Sequence, residues 1–158
     1  MLTYKRNSIL QSSSHIIVCP VSSDGILSNK LTQKILQQNL PINLKSWQHL
    51  DFSKGNYHNL RTANRKTICL FPTKKNHTDN DSYDYIVAGL KAYHDSMKDF
   101  EAIYNAPLNV SFPQLGLDSE DWEDMEIIYE QYLDDLDQQV FVHINKGDKK
   151  LALDKRKR

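Results

Sequence analysis

Ile68-Cys69-Leu70-Phe71-Pro72-Thr73-Lys74-Lys75 is followed, after a polar loop, by Tyr85-Ile86-Val87-Ala88-Gly89-Leu90-Lys91-Ala92. The first segment is a short apolar run ending in Pro-Thr-Lys, which predicts a strand covered on both faces, over Lys66 to Phe71. The second carries apolar residues at helical spacing and continues as Tyr93 and Met97, predicting a helix over Tyr83 to Phe100. A buried strand, an Asn- and Asp-rich loop and an amphipathic helix make one strand–helix unit, and the rest of the chain repeats that unit.

Working outward, His15-Ile16-Ile17-Val18-Cys19 is a second apolar run. Turn residues through Gly25 follow it, and then a helix is predicted over Ile26 to Gln38. Leu108 to Phe112 reads as a third strand and Val140 to Ile144 as a last one. Between them Ser119 to Leu136 reads as a helix with a Ser-x-x-Asp/Glu start and Glu123 and Asp124 near its positive end. All three inner runs are followed within one or two residues by proline, at Pro20, Pro72 and Pro113, where the sequence predicts that the strands stop. The expected fold is α/β: a three-layer α-β-α sandwich around a mixed, mostly parallel central sheet, with Ile16–Cys19, Thr67–Phe71 and Leu108–Phe112 as inner strands. Ligands of such sheets bind outside the carboxyl ends of the strands, so the turns after Cys19, Phe71 and Phe112 are the places to search.

The four blocks also carry a resemblance. Ile16-Ile17-Val18-Cys19-Pro20-Val21-Ser22 is similar to the Ala-Ile-Val-Asn-Pro-Val-Asn strand and turn of macro domains, the ADP-ribose-binding module. Gly25-Ile26-Leu27 stands where that family has Gly-Val-Met, and Phe71-Pro72-Thr73-Lys74 matches unchanged. Phe112-Pro113-Gln114-Leu115-Gly116 resembles its strand ending in Pro-x-Leu-Gly, and Asp121-Trp122-Glu123 resembles the opening of its last large helix. The order and spacing hold to about Ile144, and the resemblance implies a macro-like domain over residues 1–145 with a basic tail over 146–158.

It further implies ADP-ribose or a related nucleotide as ligand, recognised or hydrolysed as ADP-ribose 1''-phosphate or as an ADP-ribosyl bond. The residues carried over for binding are Ser8, Ile9, Pro20, Ser22, Gly25, Ile26, Leu27, Pro72, Thr73, Lys74, Leu115 and Gly116. Ser22 and Asp24 are the candidates for catalysis, Ser22 bonding a sugar hydroxyl and Asp24 activating water.

The ligand loops depart from the family. Ser22 replaces the Asn used on the distal ribose and Cys19 the Asn before it, while Asn7-Ser8-Ile9 stands for Gly-Asp-Ile. Ser28-Asn29-Lys30 replaces Gly-Lys-Gly, and Leu115 to Glu120 shortens a glycine-rich loop. A loop that wraps a diphosphate needs converging N–H groups and positive φ, which glycine supplies. This chain has five glycines, and Asp118, Glu120 and Asp121 would add negative charge beside the anion. The expectation is a weakened ADP-ribose site with Lys30, Lys74 and Lys75 as compensating cations. The alternatives are another nucleotide ligand, or a non-enzymatic interaction protein that keeps the fold.

Composition bounds the remainder. The 158 residues suit one domain, and 39% hydrophobic with 25% charged residues is ordinary for a globular protein. No run approaches the roughly 20 apolar residues of a membrane span. The N-terminus has no apolar signal core, and a cytoplasmic protein without a membrane partner is expected. Net charge is zero but segregated. Ten acidic residues and no basic one lie between Asp118 and Asp137, expected as a solvated helix face. Seven basic residues lie between Lys146 and Arg158, expected as an unpacked tail that offers charge to an acidic or nucleic-acid partner.

Cys19 and Cys69 read as buried thiols, or as one disulfide between neighbouring strands. The six histidines share no metal-ligand spacing, so no metal and no cofactor is expected. Trp47, Phe52 and Tyr57 among Lys45, Lys54 and Arg61 either stack a base or pack on the sheet, and His77 is expected at the rim of the site.

Overall fold

The computed structural model describes residues 1–39, 50–62, 64–104, 108–116 and 121–144. The basic tail, the acidic residues of the Asp118–Glu120 loop, Lys45 and Trp47 lie outside the described residues, as does Ser119. In chain order the elements are β1 (Leu2–Lys5), a 3₁₀ turn (Ile9–Gln11), β2 (Ile16–Ser22), α1 (Lys30–Gln38), β3 (His58–Arg61), β4 (Thr67–Lys74), α2 (Tyr83–Ile103), β5 (Val110–Pro113), α3 (Trp122–Leu133) and β6 (Val140–His143).

The described strands form a six-stranded sheet in the order β1-β6-β5-β2-β4-β3. All pairings are parallel except β3 with β4, so the sheet is mixed and mostly parallel, with helices on both faces. The three inner runs expected from sequence are inner strands.

Strand periodicity sorts the apolar residues into two cores. Val18, Cys69, Phe71, Val110, Phe112, Val140 and Val142 face Ile86, Leu90 and Tyr93 of α2 and Met125, Ile128, Tyr129 and Leu133 of α3. Ile17, Cys19, Val21, Ile68 and Leu70 face Ile35 and Leu36 of α1, with Ile9 and Phe52 beside them. Phe52 is therefore a core residue and not a base-stacking one. Cys19 and Cys69 belong to opposite faces and both are free, which removes the disulfide alternative. Burial pushes both thiols far up, so neither is a nucleophile. No helix among the described residues is long and apolar enough to cross a membrane.

Several boundaries differ from expectation, each for a local reason. The prolines do not stop the strands: Pro20 and Pro72 lie inside β2 and β4, and Pro113 is the last residue of β5. β2 pairs with β5 only through Ile16 and Ile17, and β4 pairs with β3 only through Thr67 to Leu70. One side of each strand is thus open where its proline falls, and a missing N–H there breaks no ladder.

The helix expected from Ile26 begins at Lys30, because Asn29 caps it, its side-chain oxygen accepting from the Thr32 N–H at 2.9 Å. Leu108 is an exposed residue before β5 rather than part of it. The last helix starts at Trp122 after Asp121, with Glu123 and Asp124 in its first turn as expected. β1 and β3 are short edge strands with too few apolar residues to show a pattern. Helix α2 approaches the sheet closely at Gly89, where an added Cβ would sit 2.3 Å from the Phe71 ring.

Candidate functional site

The carboxyl ends of β2 and β4 hold the candidate site, and its shape begins with a break in register. Val21 stands opposite Pro72, but the next partners are Ser22 and Lys74, so Thr73 has no opposite number on β2. Bulges of this kind re-aim side chains at the end of a sheet. The strands continue loosely beyond it, the Ser23 N–H donating to the Lys74 carbonyl at 2.9 Å and the Asp24 N–H to the Lys75 carbonyl at 3.1 Å.

The chain then turns, the Gly25 N–H donating to the Ser22 carbonyl at 3.1 Å, with Gly25 at φ +75°. Between this turn and the end of β4 lies a small cleft lined by Pro20, Val21, Ser22, Ile26, Leu27, Ser28, Asn29, Thr73 and Lys74. Six of the residues expected from sequence therefore meet in one place: Pro20, Ser22, Ile26, Leu27, Thr73 and Lys74. Among the described residues the Lys74 ammonium forms no ion pair, so it is available to an anionic group.

Asp24 is the hub of the first loop. Its Oδ1 accepts the Ser22 hydroxyl at 2.6 Å and the Ile26 N–H at 3.0 Å. Its Oδ2 accepts both the backbone N–H of His77 and His77 Nδ1, each at 2.8 Å. A carboxylate only accepts, so Nδ1 carries the imidazole proton. Desolvation alone would raise the Asp24 pKa, but these hydrogen bonds outweigh it and hold the carboxyl well below the ordinary range. Such a carboxylate is a poor base. Ser22 is 2% exposed and its proton is committed to Asp24, which leaves it no donor for a sugar hydroxyl.

Asp81 is the hub of the second loop. Its Oδ1 accepts the Thr73 hydroxyl at 2.8 Å and its Oδ2 accepts the Gly116 N–H at 3.1 Å. The Ser82 N–H donates to the Thr73 carbonyl at 2.7 Å, so the entry of α2 is fastened to the bulge. Gly116 is at φ +73°. Leu115 beside it is buried, its N–H donating at 2.7 Å to the Tyr129 hydroxyl, which donates to the Pro113 carbonyl at 3.2 Å. Leu115 is thus an anchor for the loop, and its backbone donor is already used.

Ser8 and Ile9 stand apart from this cleft. Ser8 caps the 3₁₀ turn, accepting from the Leu10 N–H at 3.2 Å, and Ile9 is buried in the core under α1. Pro72 lies within β4, and Gly25 forms the turn at the cleft's edge.

Sequence reasoning missed Asp81, and it took His77 for a rim residue without its partner. No local signal separates Asp81 from Asp79 and Asp84 around it; its contact with Gly116 spans 35 residues and exists only through the fold. Among the described residues no group of three His, Cys, Asp or Glu side chains is placed to hold a metal ion.

No protein-family model matches the chain, and no curated protein matches it in sequence. Solved structures do. The macrodomain of Thermus aquaticus DarG superimposes with a TM-score of 0.75 at 18% identity, over 91% of this chain and 98% of that one. The macrodomain of Mycobacterium tuberculosis DarG gives 0.73 at 20%, over 90% and 97%. Thermosipho africanus DarTG, in complex with ADP-ribose, gives 0.73 at 18%, over 92% of this chain and 42% of that one. The chain has the macrodomain fold. At such identities the likeness speaks for the fold and leaves the ligand to the residues of the site.

Proposed function

We propose that this chain is a divergent macrodomain whose cleft recognises ADP-ribose or a related nucleotide derivative. The observation that carries the reading is the position of the cleft. It lies over the carboxyl ends of parallel strands, where such sheets bind ligands, and Lys74 supplies a cation there that forms no ion pair among the described residues. That one of the fold's neighbours is a complex with ADP-ribose supports the ligand class.

Binding is favoured over hydrolysis, because the two groups that resemblance nominates for catalysis, Ser22 and Asp24, are bonded to each other. Turnover of ADP-ribose 1''-phosphate or of an ADP-ribosyl bond is the narrower form of the same proposal and needs a different base.

A thermal-shift panel of ADP-ribose, its 1''-phosphate, NAD and adenine nucleotides tests the reading. A ligand at 100 times its dissociation constant stabilises by about 2.7 kcal/mol, and the affected ligand should lose about tenfold in affinity in Lys74→Ala. Gly25→Glu should abolish binding by setting a negative side chain at the cleft's edge. If no member of the panel shifts the melting temperature, the nucleotide reading falls and the interaction-protein reading takes its place.

A further inference from the structure

We infer that the apolar groove under the carboxyl-terminal half of α2 is a second binding site, one that takes a small amphipathic anion of the medium-chain carboxylate class. It lies at the opposite end of the sheet from the candidate nucleotide cleft and does not depend on that reading.

The groove follows from where α2 is pinned. Gly89 brings the first half of the helix against the Phe71 ring, where not even a Cβ would fit. Met97 and Phe100, about two and three turns further on, lie over the amino ends of the strands instead. The floor there is Ile16 on β2, Thr67 on β4 and Arg61 on β3, side by side in register. Residues paired across strands share a face, so all three meet the helix side of the sheet. Two of the three are polar, and this row does not close on α2 as Val18, Cys69 and Phe71 do. The space left is about 360 Å³, with Leu108 along one side. Sites for small organic ligands begin at roughly 300 Å³.

The chemistry of the lining selects the ligand. Ile16, Met97, Phe100 and Leu108 present apolar surface, and Phe100 and Leu108 are exposed, so a chain laid between them removes that surface from water. Gln138 closes the β6 end, its carbonyl accepting the Tyr93 hydroxyl at 2.6 Å and its amide donating to the Leu108 carbonyl. Arg61 stands at the other end. Among the described residues its guanidinium forms no ion pair. A guanidinium receives a carboxylate through two parallel hydrogen bonds, and the Thr67 hydroxyl beside it can add a third.

Glu101 fixes the direction of the ligand. Its carboxylate accepts the Asp137 N–H at 2.8 Å and the Gln138 N–H at 3.2 Å, which places negative charge at the Gln138 end. An anionic head is repelled there and attracted to Arg61. From Arg61 to Ile16 is two strand spacings, about 10 Å, a span that a medium-length alkyl chain covers.

Calorimetry with octanoate and octanol on the wild type, Arg61→Gln and Thr67→Met tests the site. Octanoate should bind the wild type saturably. Arg61→Gln should weaken octanoate at least fivefold and move octanol less than twofold, because only the carboxylate uses the guanidinium. Thr67→Met fills the middle of the floor and should weaken both about tenfold. No saturable octanoate binding, or octanoate affinity unchanged in either variant, overturns the inference. Methyl resonances place the ligand: octanoate should shift Ile16, Met97 and Leu108 and leave Ile26 and Leu27, at the opposite end of the sheet, unmoved. The reverse pattern overturns the inference. Ile103 and Tyr104, exposed beyond Phe100, make a second copy of the chain the competing occupant. A dimer in sedimentation equilibrium that Phe100→Ser dissociates would show that a second copy covers the groove, and would overturn the inference as well.

Discussion

The block between the sheet and helices α2 and α3, and the loops above the ends of β2, β4 and β5, are held together by different forces. In the block, Phe71, Phe112 and Tyr93 meet edge to face, Phe71 to Phe112 at 6.3 Å and Tyr93 to Phe112 at 5.4 Å between centroids. The stabilisation there scales with apolar area removed from water and depends on close packing. In the loops, two carboxylates gather backbone amides and hydroxyls. A fold held by the block keeps its shape while its loops exchange one set of polar partners for another. That separation is how a chain at 18–20% identity to its neighbours retains their fold.

The largest test of the contrast is Phe71→Ala. The side chain is fully buried, and such truncations cost about 3–5 kcal/mol, or a fall of roughly 6–20 °C in melting temperature for a domain of this size. A fall of only a degree or two would mean that the loops, and not the block, carry the stability.

Two glycines sharpen the same contrast with one kind of substitution. Gly89→Ala puts a methyl group into the Phe71 ring. Overpacking of about 1–3 kcal/mol should exceed the ~1 kcal/mol gained by replacing a helical glycine. Gly25→Ala meets no atom within 4 Å, and its cost, about 1 kcal/mol, comes from the left-handed backbone alone. Melting curves of Gly89→Ala and Gly89→Ser against Gly25→Ala and Gly25→Asn separate the mechanisms. Asparagine tolerates positive φ and should recover part of the loss at position 25, whereas serine at position 89 should recover nothing.

Titration offers a further comparison between interior and surface. Burial lowers the His143 pKa below the ordinary 6.5, and the Lys5 charge adds to this against the bond to the Asn7 carbonyl. The ring is held neutral, Nδ1 donating to that carbonyl at 3.0 Å and Nε2 lying 3.1 Å from the Ser111 hydroxyl. The unfolded chain takes up the proton first as pH falls, so this stability is complete above about 6.5 and is lost as pH drops through the lowered folded value. Melting temperature should slope downward below that pH, and His143→Gln should flatten the slope.

His94 is the surface counterpart. Desolvation would lower its pKa, but its bonds to Asp135 and Asp95 outweigh that and raise it. Its contribution is therefore complete below about 6.5 and is lost as pH rises through the raised value. Desolvation would raise the Asp135 pKa, but its hydrogen bond to His94 and the His94 and Lys98 charges outweigh that and lower it, so its share is lost as pH falls through that lowered value. The pair is open to water, and Asp135→Asn should cost less than about 1 kcal/mol at pH 6. A larger loss would mean that surface charge supports the α2–α3 packing more than the buried aromatic rings suggest.

The sequence by itself determined the layers of this protein. Buried parallel strands must be continuously apolar and packed helices must repeat near 3.6 residues, so Ile16–Cys19, Thr67–Phe71 and the α2 stripe were legible without coordinates, as was the strand read as Leu108–Phe112, which begins at Val110. Motif order also brought Pro20, Ser22, Thr73 and Lys74, on the ends of those same strands, together with Ile26 and Leu27 in the loop beyond β2. The edge strands β1 and β3 were not legible, since four residues with few apolar side chains carry no period. Only the tertiary structure decided what the site's polar groups do. Whether the Gly116 amide is free or filled depends on Asp81, 35 residues away, and whether Ser22 has a proton to offer depends on where Asp24 turns. Hydrogen bonds are short and directional, and their partners here are brought together by the sheet rather than by neighbourhood in the chain.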